Sequence, residues 1–259
     1  MRPAGRILAL LLVLATASGL HGRSRAASGD RPRVPGPDIA AFATNVDDIE
    51  LTAIIEKLDS AELEKIGRDF SFSYRLKSIT FQYKSPDRVR FAGRVPALGE
   101  AVVIINGPTR LFKIPRMRQR IEDLKLSPSR RLTLLEYGGI VSQDTLRFMQ
   151  GKFLRQEPLD GADTSVYELR YRGVTSGSYY RVWIDPRTRL TAKREWFDSE
   201  NRLKATFRYL DPRQVGSGVW LPETVEVDNA EGKVGAVTRL DAVRINQGLS
   251  DALFRVGTQ

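Results

Sequence analysis

Between residues 152 and 245 the sequence sets up seven runs of alternating apolar and polar residues, about 10 to 13 residues apart and joined by short turn-like clusters. Alternation at a period of two places successive side chains on opposite faces of a strand, and connections this short join only antiparallel neighbours. The runs fall at 152–156, 165–173, 178–185, 189–197, 202–210, 219–228 and 233–245. The stretch YYRVWIDPRTRLTAKREWFDSENRLKATFRYLD (179–211) is the most regular, with Asp185, Asp198 and Asp211 spaced 13 residues apart and each expected to open a turn. An antiparallel meander is therefore the frame.

The earlier part reads as a mixture. Asp47 with Glu50 three residues on resembles a capping box, and Leu51, Ile54, Ile55 and Leu58 follow at helical spacing, so a helix is expected there. SAELEKIGRD adds a further turn or two of helix. In DFSFSYRLKSITFQYKSP the period changes to two, which predicts one long strand with a bulge near Ser78, stopped by Pro86. DRVRF, EAVVIIN and TRLFKI read as shorter strands, with a hairpin turn at Asn106-Gly107-Pro108. Ser127-Pro128 opens a helix ended by Gly138-Gly139, and Ser142 caps a second, closed by Gly151.

The fold class expected is α+β and mainly β. About 10 or 11 antiparallel strands are more than a flat open sheet carries without curling. The sheet is therefore expected to form a strongly curved, unclosed half-barrel with a lid of short helices on its concave face. Leu203, Ala205, Phe207 and Tyr209 share one side of a strand and Arg202, Lys204, Thr206 and Arg208 the other. Leu190, Ala192 and Trp196 repeat the pattern opposite Arg189, Thr191, Lys193 and Glu195. Arg194 falls on the apolar side, where a lone guanidinium is costly. It is read first as a strand-edge arginine snorkelling to water and second as a charged group awaiting a ligand head group.

If the helices cover the apolar face loosely, a pocket for an acyl chain remains. Its expected wall comprises Phe70, Phe72, Tyr74, Phe81, Tyr83, Phe91, Tyr167, Tyr171, Trp183, Arg194, Trp196 and Phe207, with Leu132, Leu135, Leu146 and Met149 in the lid.

The amino terminus reads as an address. Arg2 and Arg6 precede the 11-residue apolar run Ile7 to Ala17, which is too short to span a bilayer as a helix. Residues 1–26 are expected to be a signal peptide cleaved after Ala17 or Ala26, 27–38 a flexible lead-in rich in Pro, Gly and charge, and 39–259 a single domain. Without cysteine the chain has no lipobox, disulfide or thiolate metal site. A net charge of +10, or 10 − 2 = +8 once Arg2 and Arg6 are removed, is spread through the strands as a solvated surface. Export argues against a nucleic-acid partner, and a monomer is expected.

Catalysis finds little support. His21 is the sole histidine and lies in or beside the signal, which removes triads, imidazole bases and histidine-ligated zinc. No G-x-S-x-G elbow or phosphate-binding glycine motif occurs, and the pairs Asp47-Asp48 and Glu122-Asp123 suit caps and surface charge. The reading is a non-enzyme with no cofactor and no metal.

Three stretches carry a resemblance: FQYKSPDRVRF (81–91), the 179–211 stretch followed by GVWLPETVEV, and VRINQGLSDALFRV near the end. Together they resemble the LolA-like periplasmic outer-membrane lipoprotein carrier family, also called lipoprotein-sorting proteins. The resemblance implies an unclosed antiparallel barrel with a helical lid. Its cavity would shield lipoprotein acyl chains across the periplasm, between an inner-membrane donor and an outer-membrane acceptor. The family's carriers often have an arginine before the motif's proline that clasps the lid; here the position is Ser85. Relatives also include an envelope-stress sensor, so an interaction module is the alternative.

Overall fold

The computed structural model describes residues 36–257 apart from 75, 96, 128, 129, 132, 175 and 176, and the backbone alone at 69, 72 and 73. The expected signal peptide, most of the lead-in, Leu132 and the Phe72 ring lie outside the described residues.

The first half of the chain supplies β1 (Asp48–Leu58), β2 (Ser78–Lys84), β3 (Arg88–Val95), β4 (Gly99–Asn106), β5 (Thr109–Lys113) and β6 (Arg120–Asp123). The second supplies β7 (Met149–Leu159), β8 (Ala162–Tyr171), β9 (Tyr179–Ile184), β10 (Thr191–Phe197), β11 (Leu203–Gly216), β12 (Val219–Asn229) and β13 (Val234–Ile245). All are antiparallel in one 13-stranded sheet of order β6-β5-β4-β3-β2-β1-β13-β12-β11-β10-β9-β8-β7. The chain thus starts at the middle, runs out to one edge, crosses to the other edge and returns to pair β13 with β1. β6 and β7 are the two edges, so the sheet is open.

The helices are α1 (Ser60–Ile66) and α2 (Arg68–Ser73) between β1 and β2, and α3 (Leu134–Gly138) and α4 (Gln143–Phe148) in the edge-to-edge crossover. Three of the four have side-chain caps at their N-termini. Thr133 and Glu136 form a capping box on α3, and Ser142 with Thr145 one on α4. Asp59 accepts from the backbone nitrogens of Ala61 and Glu62 at the start of α1.

Four sequence expectations are corrected. The helix expected from Asp47 is the central strand β1: register shifts against β13 between Glu50 and Thr52 and between Ile55 and Lys57 break its alternation and leave Leu51, Ile54, Ile55 and Leu58 at helix-like spacing. The first half of the strand expected over 69–85 is α2, whose Phe70 meets Tyr74 four residues on at a ring separation of 5.4 Å. Among the described residues the strands number 13, with β6 unforeseen. Asp185 and Asp198 do open turns, taking backbone N–H groups from Arg187 and from Glu200 and Arg202. Asp211 does not: β11 runs through it to Gly216, with a positive φ of 53° absorbed inside the strand.

The end of the chain closes the frame. Asp48 of β1 accepts the N–H groups of Gln247, Gly248 and Leu249, so Asn246-Gln247-Gly248 is wound around a carboxylate. Phe254, wholly buried, packs with Ile104 and Leu111 on the face of the sheet opposite the main core. On the apolar face α1 is seated by Leu63 against Gly235, where a Cβ would lie 2.6 Å from the leucine.

Gly139 fixes α3. It ends the helix at φ +66°, and a Cβ there would lie 3.0 Å from the Tyr209 ring and 3.1 Å from the Thr191 carbonyl. Gly139→Ala should lower stability by about 2–4 kcal/mol, adding overpacking to the left-handed backbone cost. Gly161→Ala, at φ +82° with nothing within 4 Å, should lose only about 1 kcal/mol. Equal urea midpoints for the two variants would contradict the seating of α3 on the sheet.

Candidate functional site

Between the apolar face and the helices lies a cavity of about 150 Å³. Leu51, Ala53 and Ile55 of β1, Ile79 and Phe81 of β2, Phe91 of β3, Val103 and Ile105 of β4 and Arg110 of β5 wall one half. Arg194 of β10, Phe207 of β11, Val225 of β12 and Thr238 and Leu240 of β13 wall the other. The roof is Phe70 of α2, Tyr74 just after it, and Glu136 and Tyr137 of α3. Nearly every strand side chain here falls at alternate positions, so the cavity inherits the period of two read from the sequence.

Of the twelve wall residues expected, Phe70, Tyr74, Phe81, Phe91, Arg194 and Phe207 line this cavity. Five others sit elsewhere. Trp196 packs on Phe70 at its margin, with ring centroids 6.4 Å apart. Tyr83 donates to Asp144 of α4. Tyr167 and Tyr171 belong to a second core under β7–β9, with Leu135, Met149 and the partly buried Leu146 of the expected lid. Trp183 faces the opposite side of the sheet, against Lys193 and Glu157.

Arg194 does not snorkel: it is 1% exposed. Its strand is flanked on both sides, so the side chain has no edge over which to reach water. Nε donates to the Tyr209 hydroxyl at 3.0 Å, and that hydroxyl donates to the Leu135 carbonyl at 2.8 Å, tying β10 and β11 to α3. The Phe207 and Tyr180 rings lie 3.8 and 4.7 Å from the guanidinium carbon, a cation–π arrangement. Its Nη1 and Nη2 are buried without a hydrogen-bond partner among the described residues.

Sequence reasoning missed Arg110, Glu136 and Tyr137. Arg110 was findable by the rule that exposed Arg194, because in TRLFK it shares a face with Phe112. Its guanidinium is bound by Glu122 through Nε at 3.0 Å and through Nη2. Glu136 and Tyr137 had no signal, since which face α3 presents depends on where the crossover lands. Two of the adjacent acids considered for catalysis have structural work: Asp48 holds the 247–249 turn and Glu122 binds Arg110.

Burial holds the phenols of Tyr74, Tyr137, Tyr180 and Tyr209 above their ordinary value of 10.0, although Arg194 pulls each the other way. Burial pushes Tyr167 up to about 12. A raised phenol favours the folded state below its unfolded value and loses that contribution as pH climbs toward the folded one. Stability should therefore fall as pH rises above 10, with phenolate absorbance at 295 nm appearing together with loss of near-ultraviolet dichroism. Gradual ionisation of these tyrosines near pH 10 in a folded protein would contradict the burial described.

A family model described as "-like: Uncharacterized protein" matches residues 134–258. No curated protein matches the chain by sequence. A LolA superfamily protein from Nitrosomonas europaea superposes with a TM-score of 0.56 at 19% identity, covering 85% of this chain and 98% of its own. A DUF1329 family protein from Desulfovibrio piger superposes with a TM-score of 0.55 at 15% identity, covering 84% and 93%. The fold is structurally similar to that of the LolA superfamily.

Proposed function

We propose that the chain is a periplasmic carrier that binds acylated cargo in the cavity beneath its helices and delivers it toward the outer membrane. The observation that carries this reading is the apolar cavity itself, walled by strands from both halves of the sheet and roofed by short helices. β5 and β10 stand eight places apart in the sheet order, yet both line it. In a flat sheet they would be roughly 38 Å apart. This supports a half-barrel wrapped around the cavity, formed by residues 39–259 as one monomeric domain. Export through a cleaved signal over residues 1–26 would bring it to the periplasm, consistent with the absence among the described residues of any helix long and apolar enough to cross a membrane.

A cavity near 150 Å³ admits a body about the size of benzene. A full acyl chain therefore enters as the roof lifts. α3 is hydrogen-bonded to the sheet through Tyr209 and through Thr191 N–H to the Gly139 carbonyl, whereas α2 meets β10 and β11 through rings, Phe70 against Trp196 and Phe207. α2 is the part that moves in this reading. Each methylene transferred from water contributes about 0.8 kcal/mol, which offsets the loss of those ring contacts within a few carbons. The clasp position departs from the family's pattern: the Ser85 hydroxyl, where the family's carriers often have arginine, donates to Asp144 of α4 at 2.9 Å.

Native mass spectrometry of protein purified from its own periplasm should show bound acylated species. Ala53→Phe, which fills the cavity from β1, should reduce their occupancy at least tenfold while leaving the thermal midpoint within a few degrees. Wild-type protein free of acylated ligand both as purified and after incubation with lipid extract would sink the proposal.

A further inference from the structure

We propose that Arg194 is the docking point for the head group of the cargo, and that this head group is a single carboxylate on an apolar tail. The inference rests on the carrier reading and specifies its ligand.

Two arginines line one cavity, and they are in opposite states. Arg110 is chelated by Glu122, which also takes Arg120 and Arg130 at 2.6 and 3.2 Å. Arg194, equally buried, has no carboxylate within 4.0 Å among the described residues. Glu136 lines the same cavity, but its Oε2 accepts both the N–H and the hydroxyl of Thr133, which ties it to the start of α3. Nothing in the wall neutralises Arg194 by direct contact.

The guanidinium is also pre-positioned. Nε is fixed by the Tyr209 hydroxyl, whose own proton is committed to Leu135, and the Phe207 and Tyr180 rings rest against it. Rings compensate charge but leave the terminal N–H groups of Nη1 and Nη2 without acceptors. A planar fork with free donors matches the two oxygens of a carboxylate, and a buried cation gains most from a partner of opposite charge. An alcohol or ester supplies no charge. A phosphate brings a second negative charge, whereas Arg110, the other guanidinium in the wall, already has its Nε and Nη2 committed to Glu122.

Each of those two nitrogens exposes less than 1 Å² in this conformation. The head group therefore reaches them only when the roof of the cavity opens, and Phe70, whose ring lies 6.1 Å from that of Phe207, is part of the roof on the helix that lifts in the carrier reading. The tail then lies along Phe81, Phe91 and Val103, and the small cavity favours tails of medium length.

The test is calorimetric titration of the full mature chain at pH 7.5 with octanoate, octan-1-ol, methyl octanoate and octyl phosphate. Wild-type protein should bind octanoate about tenfold or more tighter than the alcohol and the ester, as charge-assisted hydrogen bonds imply, and tighter than the phosphate. Arg194→Met should keep octanol affinity within about threefold while losing the preference for octanoate. Equal binding of octanoate and octanol by the wild type, tighter binding of the phosphate, or an Arg194→Met protein that keeps the preference would overturn the assignment and leave the carrier reading standing. Should Arg194→Met not fold, the four-ligand comparison on wild-type protein decides alone. A wild-type protein that binds none of the four fails the carrier reading instead.

Discussion

The Tyr209 hydroxyl is the join on which the site depends. It accepts the Arg194 Nε–H from β10 and donates to the Leu135 carbonyl of α3, so one oxygen links two strands to the crossover. The Leu135 carbonyl, near the end of a short helix, also takes the Gly139 N–H at 3.2 Å, so the phenol is its second donor. Gly139 then permits the close approach by lacking a side chain where the Tyr209 ring sits. Remove the hydroxyl, and among the described residues a buried cation loses its hydrogen-bond acceptor and α3 loses one of its ties to the sheet.

That join follows from a larger constraint. A 13-stranded sheet has one broad apolar face, and the described helices number only a few turns with which to cover it. The chain meets this by sending its single edge-to-edge crossover over that face and by placing α1 and α2 beside it. Coverage by short helices is discontinuous, and the cavity lies where the cover is thin. Wall and roof differ physically: strands are held by ladders of backbone hydrogen bonds, whereas the described contacts of Phe70 in α2 include the rings of Trp196 and Phe207.

Much of this was legible beforehand. Strands β8 to β13 follow from alternation and turn chemistry, since Asp185 and Asp198 draw backbone N–H groups into tight turns whatever surrounds them. The placement of Arg194 and Phe207 on one face followed from counting alone. β1 and α2 were misread for one reason with opposite signs. Bulges in β1 space its apolar residues like a helix, and Phe70, Phe72 and Tyr74 alternate like a strand while following a helix turn. Over so few residues neither period is secure, and the pairing of β1 with β2 and β13 overrode local preference.

The sequence by itself determined which side chains share a face, because the pleat of a strand makes facing a matter of parity. It determined that a guanidinium would stand among apolar neighbours, and that no thiol would stand with it. Only the tertiary structure decided that this guanidinium is sealed from water, that Arg110 eight strands away opens onto the same cavity, and that Arg110 alone finds a carboxylate. Those outcomes depend on sheet order and on where the crossover lands, which are fixed by contacts between residues far apart in the chain and leave no periodic trace in it.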